Sequence, residues 1–398
     1  MRLAIVSSLV FAVGCATTPS HPTEPETLPP AVKDLGRQID AVHRQRPNDG
    51  AVLYWVAAVH AQAGHREQAL AALEKMHALG AGLDPRAGDF GALKDDPKFH
   101  ELKGRIRQAH RPVLRAQVAY TVDGEWLGEG IAYSGATRKL YSLGSKGQIV
   151  AVAGDGKVEE LVAPKTGGLA GALGFRADDA RGELWVVSNA LRERKPDMVL
   201  GLFRFRLGDG ALLKAYPIEN ADKDLLNDVA VAPDGTAYAT ASNSGAVWAV
   251  RPGADAATKF VDGLPDPNGI AVTPDGRFLI VAGWHGVTRV DVATKQARLL
   301  EQPPDVASGC LDGLYLYKTD IIGVQNCVHD PGRVMRYRTA GDWSRIVSAE
   351  VLESYNPHFD GIATGAIDGD ALLLHANMQG RKRAPPVPMK VLRVPLGP

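Results

Sequence analysis

The run NDVAVAPDGTAYATASNSGAVWAV, residues 227–250, and the run NGIAVTPDGRFLIVAGWHGVTRVDV, residues 268–292, read as one unit written twice. Each opens on Asn, continues as a short apolar strand, turns at Pro-Asp-Gly, returns as a second strand, turns again at small residues and leaves as a third. Pro-Asp-Gly is turn chemistry: Pro presets φ, Asp bonds its own backbone, and Gly accepts a positive φ. Working outward, related units begin at Glu129 (EGIAYSGATRKLYSLGSKGQIVAV), near Gly174 (GFRADDARGELWVVSNA, then GLFRFRL), at Asp312 (DGLYLYKTDIIGVQN, then GRVMRYR) and at Asp360 (DGIATGAIDGDALLLHANM). Six units at intervals of roughly 40 to 50 residues, each with about four strands, predict a mainly β fold, a six-bladed β-propeller over residues 112–398.

In a propeller the first strand of each blade lines the central channel, so the residues heading the units point toward one axial position. These heads are Glu129, Asn227, Asn268, Asp312 and Asp360, with Gly174 offering no side chain. An oxygen-only set of carboxylates and amides suits a hard divalent cation, Ca²⁺ before Mg²⁺, because Ca²⁺ accepts several neutral oxygens in irregular geometry. Zinc is disfavoured, since the set holds no His or Cys. A single Asn-Asp or Asn-Gly pair reads equally well as a strand-entry turn; four such openings in register favour convergence on a ligand.

The openings Glu129-Gly130, Asn227-Asp228, Asn268-Gly269 and Asp312-Gly313 resemble those of the senescence marker protein/gluconolactonase family, with paraoxonases and diisopropylfluorophosphatase as more distant relatives. The resemblance covers the whole repeated region. It implies a divalent cation in the channel, bound by a Glu, one or two Asn and an Asp. Glu129, Asn268 and Asp312 are the strongest matches, and Asn227 stands where the family uses an Asn near metal or substrate. A Ca²⁺ so held polarises a carbonyl or phosphoryl oxygen of a small-molecule substrate for attack by water. The resemblance implies Asp312 as the base. His358 is the second candidate, its ordinary pKa of about 6.5 suiting proton transfer at neutral pH. His285, His329 and Trp284 are further candidates for the channel mouth, and each also reads as a plain loop or core residue. No phosphate-binding loop, nucleophile elbow or Cys/His zinc spacing is present. The sequence therefore supports a lactonase- or esterase-like hydrolase; the alternative is a non-catalytic binding or scaffold propeller with a structural Ca²⁺.

Residues 32–111 change to helical period. Ala51–Gln62 and Arg66–Leu79 form a hairpin about Gly64, and AQAGHREQALAALEKM with Ala57 and Ala69 resembles one tetratricopeptide repeat. Leu83–Ile106 resembles the amphipathic helix that closes such arrays. One repeat cannot bury both its faces. The segment is either a peptide-binding groove for a protein partner or a pad covering one face of the propeller, and its single repeat favours the pad.

Ahead of it, Arg2 and the apolar-to-small run Leu3–Gly14 have the length of a signal-peptide core, too short to span a bilayer. Ala12-Val13-Gly14-Cys15 resembles a bacterial lipobox, which makes residues 1–14 a signal peptide and Cys15 the lipidated start of the mature chain. Residues 15–31, rich in proline, read as a tether. The expected location is the cell envelope, anchored to a membrane by lipid, with the outer membrane facing the periplasm as the destination. With 45 Lys+Arg against 45 Asp+Glu the 398-residue chain carries no net field for phosphate backbones, and nucleic acid is not an expected partner.

Cys310 and Cys327 are the cysteines left beyond Cys15. A hairpin of Leu311–Tyr317 and Asp320–Asn326 about Lys318-Thr319 sets the two opposite each other, within disulfide reach. A bulge or a longer turn would rotate them onto opposite faces and leave free thiols.

Overall fold

The computed structural model describes residues 30–123, 125, 127–190, 195–382 and 387–397. The signal peptide, Cys15 and most of the tether lie outside the described residues. Among the described residues four α-helices come first: α1 (Pro30–Gln45), α2 (Gly50–Gln62), α3 (Arg66–Ala78) and α4 (Pro97–Ala109). Asp49 caps α2, accepting from the backbone N–H groups of Ala51 and Val52. Gly64 takes φ 75° at the turn into α3, and Ala57 and Ala69 are fully buried between the two helices. The expected single helix over Leu83–Ile106 is not formed. A 3₁₀ stretch, Ala87–Asp95, stops at Asp96, whose carboxylate caps a new helix begun by Pro97.

Twenty-four strands follow in six four-stranded antiparallel sheets. Blade one runs from β2 (Ile131–Ser134) to β5 (Val158–Val162), blade two from β6 (Gly171–Asp178) to β9 (Leu212–Pro217), and blade three from β10 (Leu226–Val231) to β13 (Thr258–Val261). Blade four runs from β14 (Ile270–Val272) to β17 (Ala297–Leu299) and blade five from β18 (Leu311–Tyr317) to β21 (Ile346–Ser354). Blade six is built from both ends of the propeller region: β22 (Gly365–Asp368), β23 (Ala371–His375) and β24 (Met389–Pro395), with β1 (Gln117–Val122) as its outermost strand, Val122 paired with Met389. Each interface between neighbouring blades holds one apolar cluster, such as Tyr141 and Ile149 against Phe175 and Phe203 between blades one and two or Ile270 and Leu279 against Tyr238 and Val247 between blades three and four. Alternation along the second strand of each blade feeds two such clusters, one on each face, as Leu184 and Trp185 do.

A seventh cluster joins the helices to the propeller. Trp55, Leu73, Phe90 and Phe99 pack with Ala307, Cys310 and Val328, which lie in loops at the head ends of blades four and five. Polar contacts fasten the same seam. Buried Asp84 accepts from Lys103, from Arg107 at 2.6 Å and from the Tyr355 hydroxyl at 3.2 Å, and buried Arg333 donates to the Gly82 and Ala81 carbonyls. The helices are thus a pad on one face of the propeller, the face from which the innermost strands start. Among the described residues no helix is long and apolar enough to cross a membrane.

Candidate functional site

The innermost strands of all six blades begin around one small cavity of about 10 Å³, lined by Glu129, Leu173, Asn227, Asn268, Asp312 and Thr364 at the strand heads. That is room for about one water-sized species. The heads crowd because the following residue is glycine in five blades. A Cβ on Gly130 would stand 1.6 Å from the Leu173 carbonyl oxygen, and one on Gly269 2.7 Å from the Asp312 carbonyl oxygen, so only glycine lets neighbouring strands approach this closely. Blade three has Asp228 at that position and so adds a carboxylate to the wall.

Four of the five expected heads, Glu129, Asn227, Asn268 and Asp312, do meet here. Asp360 does not line the cavity: it sits in the loop before β22, its N–H bonded to the Ala376 carbonyl and its own carbonyl to the Gln379 N–H. The sixth head is Thr364-Gly365, whose Thr364 hydroxyl donates to the Glu129 carbonyl at 2.6 Å and ties blade six to blade one. In blade two the head is Leu173 rather than Gly174, and it offers no oxygen.

Asp312 is held from two sides. Its Oδ1 accepts from Asn268 Nδ2 at 3.1 Å and its Oδ2 from Asn326 Nδ2 at 2.6 Å. Donating through nitrogen leaves Asn268 Oδ1 buried without a partner. Asn227 Nδ2 donates to Ser242 Oγ at 3.2 Å. Burial drives the Glu129 carboxyl up to about 8, with the charges of Asp312 and Asp228 adding to it. Burial also raises Asp312, although both amide donors favour its ionised form. Burial raises Asp228 in turn, opposed by Arg176 at 3.8 Å and by the N–H groups of Val229 and Ile270. Arg176 and Tyr315, each three residues past its head, close the channel beneath: the guanidinium lies 5.6 Å from the Tyr315 ring centre and donates to the Val229 carbonyl.

This donor set fits a hard cation. Two carboxylates that resist ionisation together and an amide oxygen with no hydrogen-bond donor all gain from a positive charge in the cavity. Among the described residues no three His, Cys, Asp or Glu side chains form a metal-binding group, so such a cation would rest on Glu129 and Asp312 plus the neutral oxygens of Asn227 and Asn268.

The histidines lie elsewhere. His358 is half-buried in the loop before β22, its N–H bonded to Asn356 Oδ1 at 2.8 Å, and is not in the cavity wall. His329 is buried under the helical pad, its Nδ1 accepting the Asp84 N–H at 3.0 Å, and burial keeps it neutral, well below its ordinary pKa. His285 stacks on Trp284 beside Arg46, the residue after α1, and is pushed down to about 4 by burial.

Cys310 and Cys327 form a disulfide, Cα to Cα 5.7 Å. The hairpin keeps the expected register from Tyr317/Asp320 to Leu314/Gly323 and then shifts by one before Leu311/Gln325. The bulge does not separate the cysteines, because both lie beyond the paired residues and Cys310 turns back with φ 61°. Asn326, between Gln325 and Cys327, was not among the expected site residues. Its mark in the sequence is its place beside a cysteine whose partner lies two residues before Asp312.

The chain has no match among curated proteins. The solved structures it is similar to include these three. A gluconolactonase from Xanthomonas campestris is 18% identical over 71% of this chain and 91% of its own, with TM-score 0.49. A nidogen/laminin complex gives 13% identity over 58% and 82%, TM-score 0.44. An aldose sugar dehydrogenase from Streptomyces coelicolor, solved with pyrroloquinoline quinone bound, gives 15% over 71% and 97%, TM-score 0.48. At these values they carry no argument about chemistry. The family profile described as SMP-30/gluconolactonase/LRE-like region matches residues 127–364, from just before Glu129 to Thr364 and so from the first channel head to the last. By that match, which spans more than half of its length, the chain belongs to the SMP-30/gluconolactonase/LRE-like family and stands, at family level, with lactonase-type hydrolases.

Proposed function

We propose that this chain is a metal-dependent hydrolase of the lactonase or esterase type, and that Glu129, Asn227, Asn268 and Asp312 hold its divalent cation, Ca²⁺ by preference. One observation carries the proposal: two carboxylates and two amides from four blades converge on a cavity sized for a single small species, with Asn268 Oδ1 unpartnered. A cation bound there supplies Lewis-acid polarisation of a carbonyl or phosphoryl oxygen. The remaining work belongs to the chain. Asn268 and Asn326 fix both oxygens of Asp312, which orients that carboxylate to take the proton of an attacking water. Arg176 and Tyr315 shut the far end, so substrate approaches from the head face, beside the helical pad. Asp312 rather than His358 serves as the base, since His358 is outside the wall. Lipidation at Cys15 would hold the domain to the outer membrane on its Pro-rich tether, facing the periplasm, with a small-molecule substrate and the membrane as its partners.

Two measurements test this. The purified protein, stripped with EDTA, is titrated calorimetrically with Ca²⁺ and then assayed on lactones, aryl esters and phosphotriesters. Saturable binding with Ca²⁺-dependent turnover is expected. Binding without turnover on any of the three would instead support a scaffold with a structural cation, and absence of binding would remove the metal centre altogether. For location, Cys15→Ser should release the protein to the soluble envelope fraction or leave uncleaved precursor; an unchanged membrane fraction would overturn the lipid anchor.

A further inference from the structure

A second cavity lies at the other end of blades four and five. Its wall includes the Pro-Asp-Gly turn that follows β14 and the turns ahead of β17 and β21. Asn268 and Asp275 sit at opposite ends of β14, so the two cavities are separated by roughly 20 Å of extended chain. The opening holds about 620 Å³, the size of a site for a small organic ligand.

Three guanidiniums, those of Arg277, Arg289 and Arg298, face it. Arg277 and Arg289 both lie against the ring of Phe278, at 5.1 and 4.5 Å from its centre. Two cations held against one ring repel each other, and an anion bridging them relieves that repulsion. None of the three makes an ion pair among the described residues; Arg289 donates to the Asp342 carbonyl at 3.2 Å and Arg298 to Gln296 Oε1 at 3.4 Å. The cavity also carries three carboxylates, but each is engaged by its own turn. Asp275 accepts from the Thr273 hydroxyl and the Arg277 N–H, Asp291 from the Thr294 N–H and Asp342 from the Ser344 N–H. These bonds all fall on one oxygen of each carboxylate, and Asp275 and Asp291 lie within electrostatic reach of Arg277, as Asp342 does of Arg289.

We propose that this cleft binds an acidic sugar, a carbohydrate ring bearing a phosphate or carboxylate. The anionic group takes the Arg277 and Arg289 forks, which match its planar or tetrahedral oxygens. Ring hydroxyls, which are donors as well as acceptors, meet Asp275, Asp291 and Asp342. A plain inorganic anion would satisfy the arginines and still face three carboxylates, so the sugar is what makes the mixed wall complementary.

Glucose 6-phosphate, glucuronate, glucose and inorganic phosphate, each titrated calorimetrically into the full chain, test the assignment, with phosphatidylglycerol vesicles in a parallel sedimentation arm. Expected are saturable binding of glucose 6-phosphate or glucuronate, at least about tenfold tighter than inorganic phosphate or glucose, and a loss of about tenfold or more in Arg277→Gln and in Arg289→Gln. Arg277 is exposed, so its variant retains the fold even if Arg289→Gln does not. Glu129→Gln should leave this binding unchanged, which separates it from the channel. Phosphate binding as tightly as the sugars, vesicles binding in their place, or affinity surviving Arg277→Gln would each overturn the proposal, as would no binding at all.

Discussion

Asn326 gives one amide hydrogen to Asp312 Oδ2 at 2.6 Å and the other to the Ile362 carbonyl at 2.8 Å, while its own carbonyl accepts from Arg86 of the helical segment at 3.2 Å. One side chain thus links the carboxylate of blade five to blade six, and its backbone links both to the helices. Asn326→Leu keeps the approximate volume and removes both donors. It should lower stability by about 1–3 kcal/mol, through the acceptors left unsatisfied, and lower Ca²⁺ affinity by about tenfold, because Asp312 loses one of its two restraints. Calorimetry and thermal melts read the two effects separately.

Glu129 sets an expected pH dependence. Its carboxyl is raised in the folded protein to about 8 from its ordinary value of 4.5. Between those values the folded state holds a proton that the unfolded state has released, so this contribution to stability is fully present below pH 4.5 and is lost as pH rises through about 8. Melting temperature in EDTA should therefore fall over that window. Saturating Ca²⁺ should flatten the fall by favouring the carboxylate, and Glu129→Gln should flatten it without Ca²⁺ while shrinking the Ca²⁺-induced shift. Melts from pH 4 to 9 with and without Ca²⁺ check all three.

The disulfide closes a loop between residues 17 apart in sequence and brackets Asn326 and Asp312. Cys310→Ser with Cys327→Ser should cost roughly 3 kcal/mol by the loop-entropy estimate and weaken Ca²⁺ binding as well. Denaturant melts and Ca²⁺ titration of the double variant measure both; unchanged Ca²⁺ affinity would mean that the bond steadies the seam alone.

Asp84 is the buried anion of that seam, with Lys103, Arg107 and Tyr355 directed at it. Asp84→Ala leaves Lys103 with its principal counter-charge gone and should destabilise by roughly 3 kcal/mol. Limited proteolysis should then cut between the helices and β1 before the propeller itself is attacked.

Most of the ring was legible because its signals are local: alternation gives strands, Pro-Asp-Gly gives turns, and repetition aligns the heads. The sixth head was misplaced for a local reason too. Asp360-Gly361 and Thr364-Gly365 are four residues apart, and the carboxylate made the first look like the ligand position. What distinguishes them is contact: a Cβ on Gly365 would stand 2.5 Å from the Leu373 carbonyl oxygen, a constraint that exists only once the blade is folded. His329 and His285 lie under the pad for a similar reason, since nothing near either residue announces that the Asp84 loop and Arg46 will settle on them. Asn326 carries no motif of its own, and its role comes from Asp312 lying across the hairpin.

The sharing of blade six between the first and last strands of the propeller makes the whole ring depend on β24. Until β24 arrives, β1 has no partner and blades one and six cannot bury Leu140, Val150 and Leu373 against one another. A chain emerging from its N-terminus can form its helical hairpin and its middle blades early, because those contacts are local, whereas the helices dock only once blades four and five exist. Closure, and with it the Thr364–Glu129 tie at the cavity, waits for the C-terminus. Loss of β24 after folding would accordingly be felt at the first strand of the propeller, as an exposed edge on β1 and a loosened cation site.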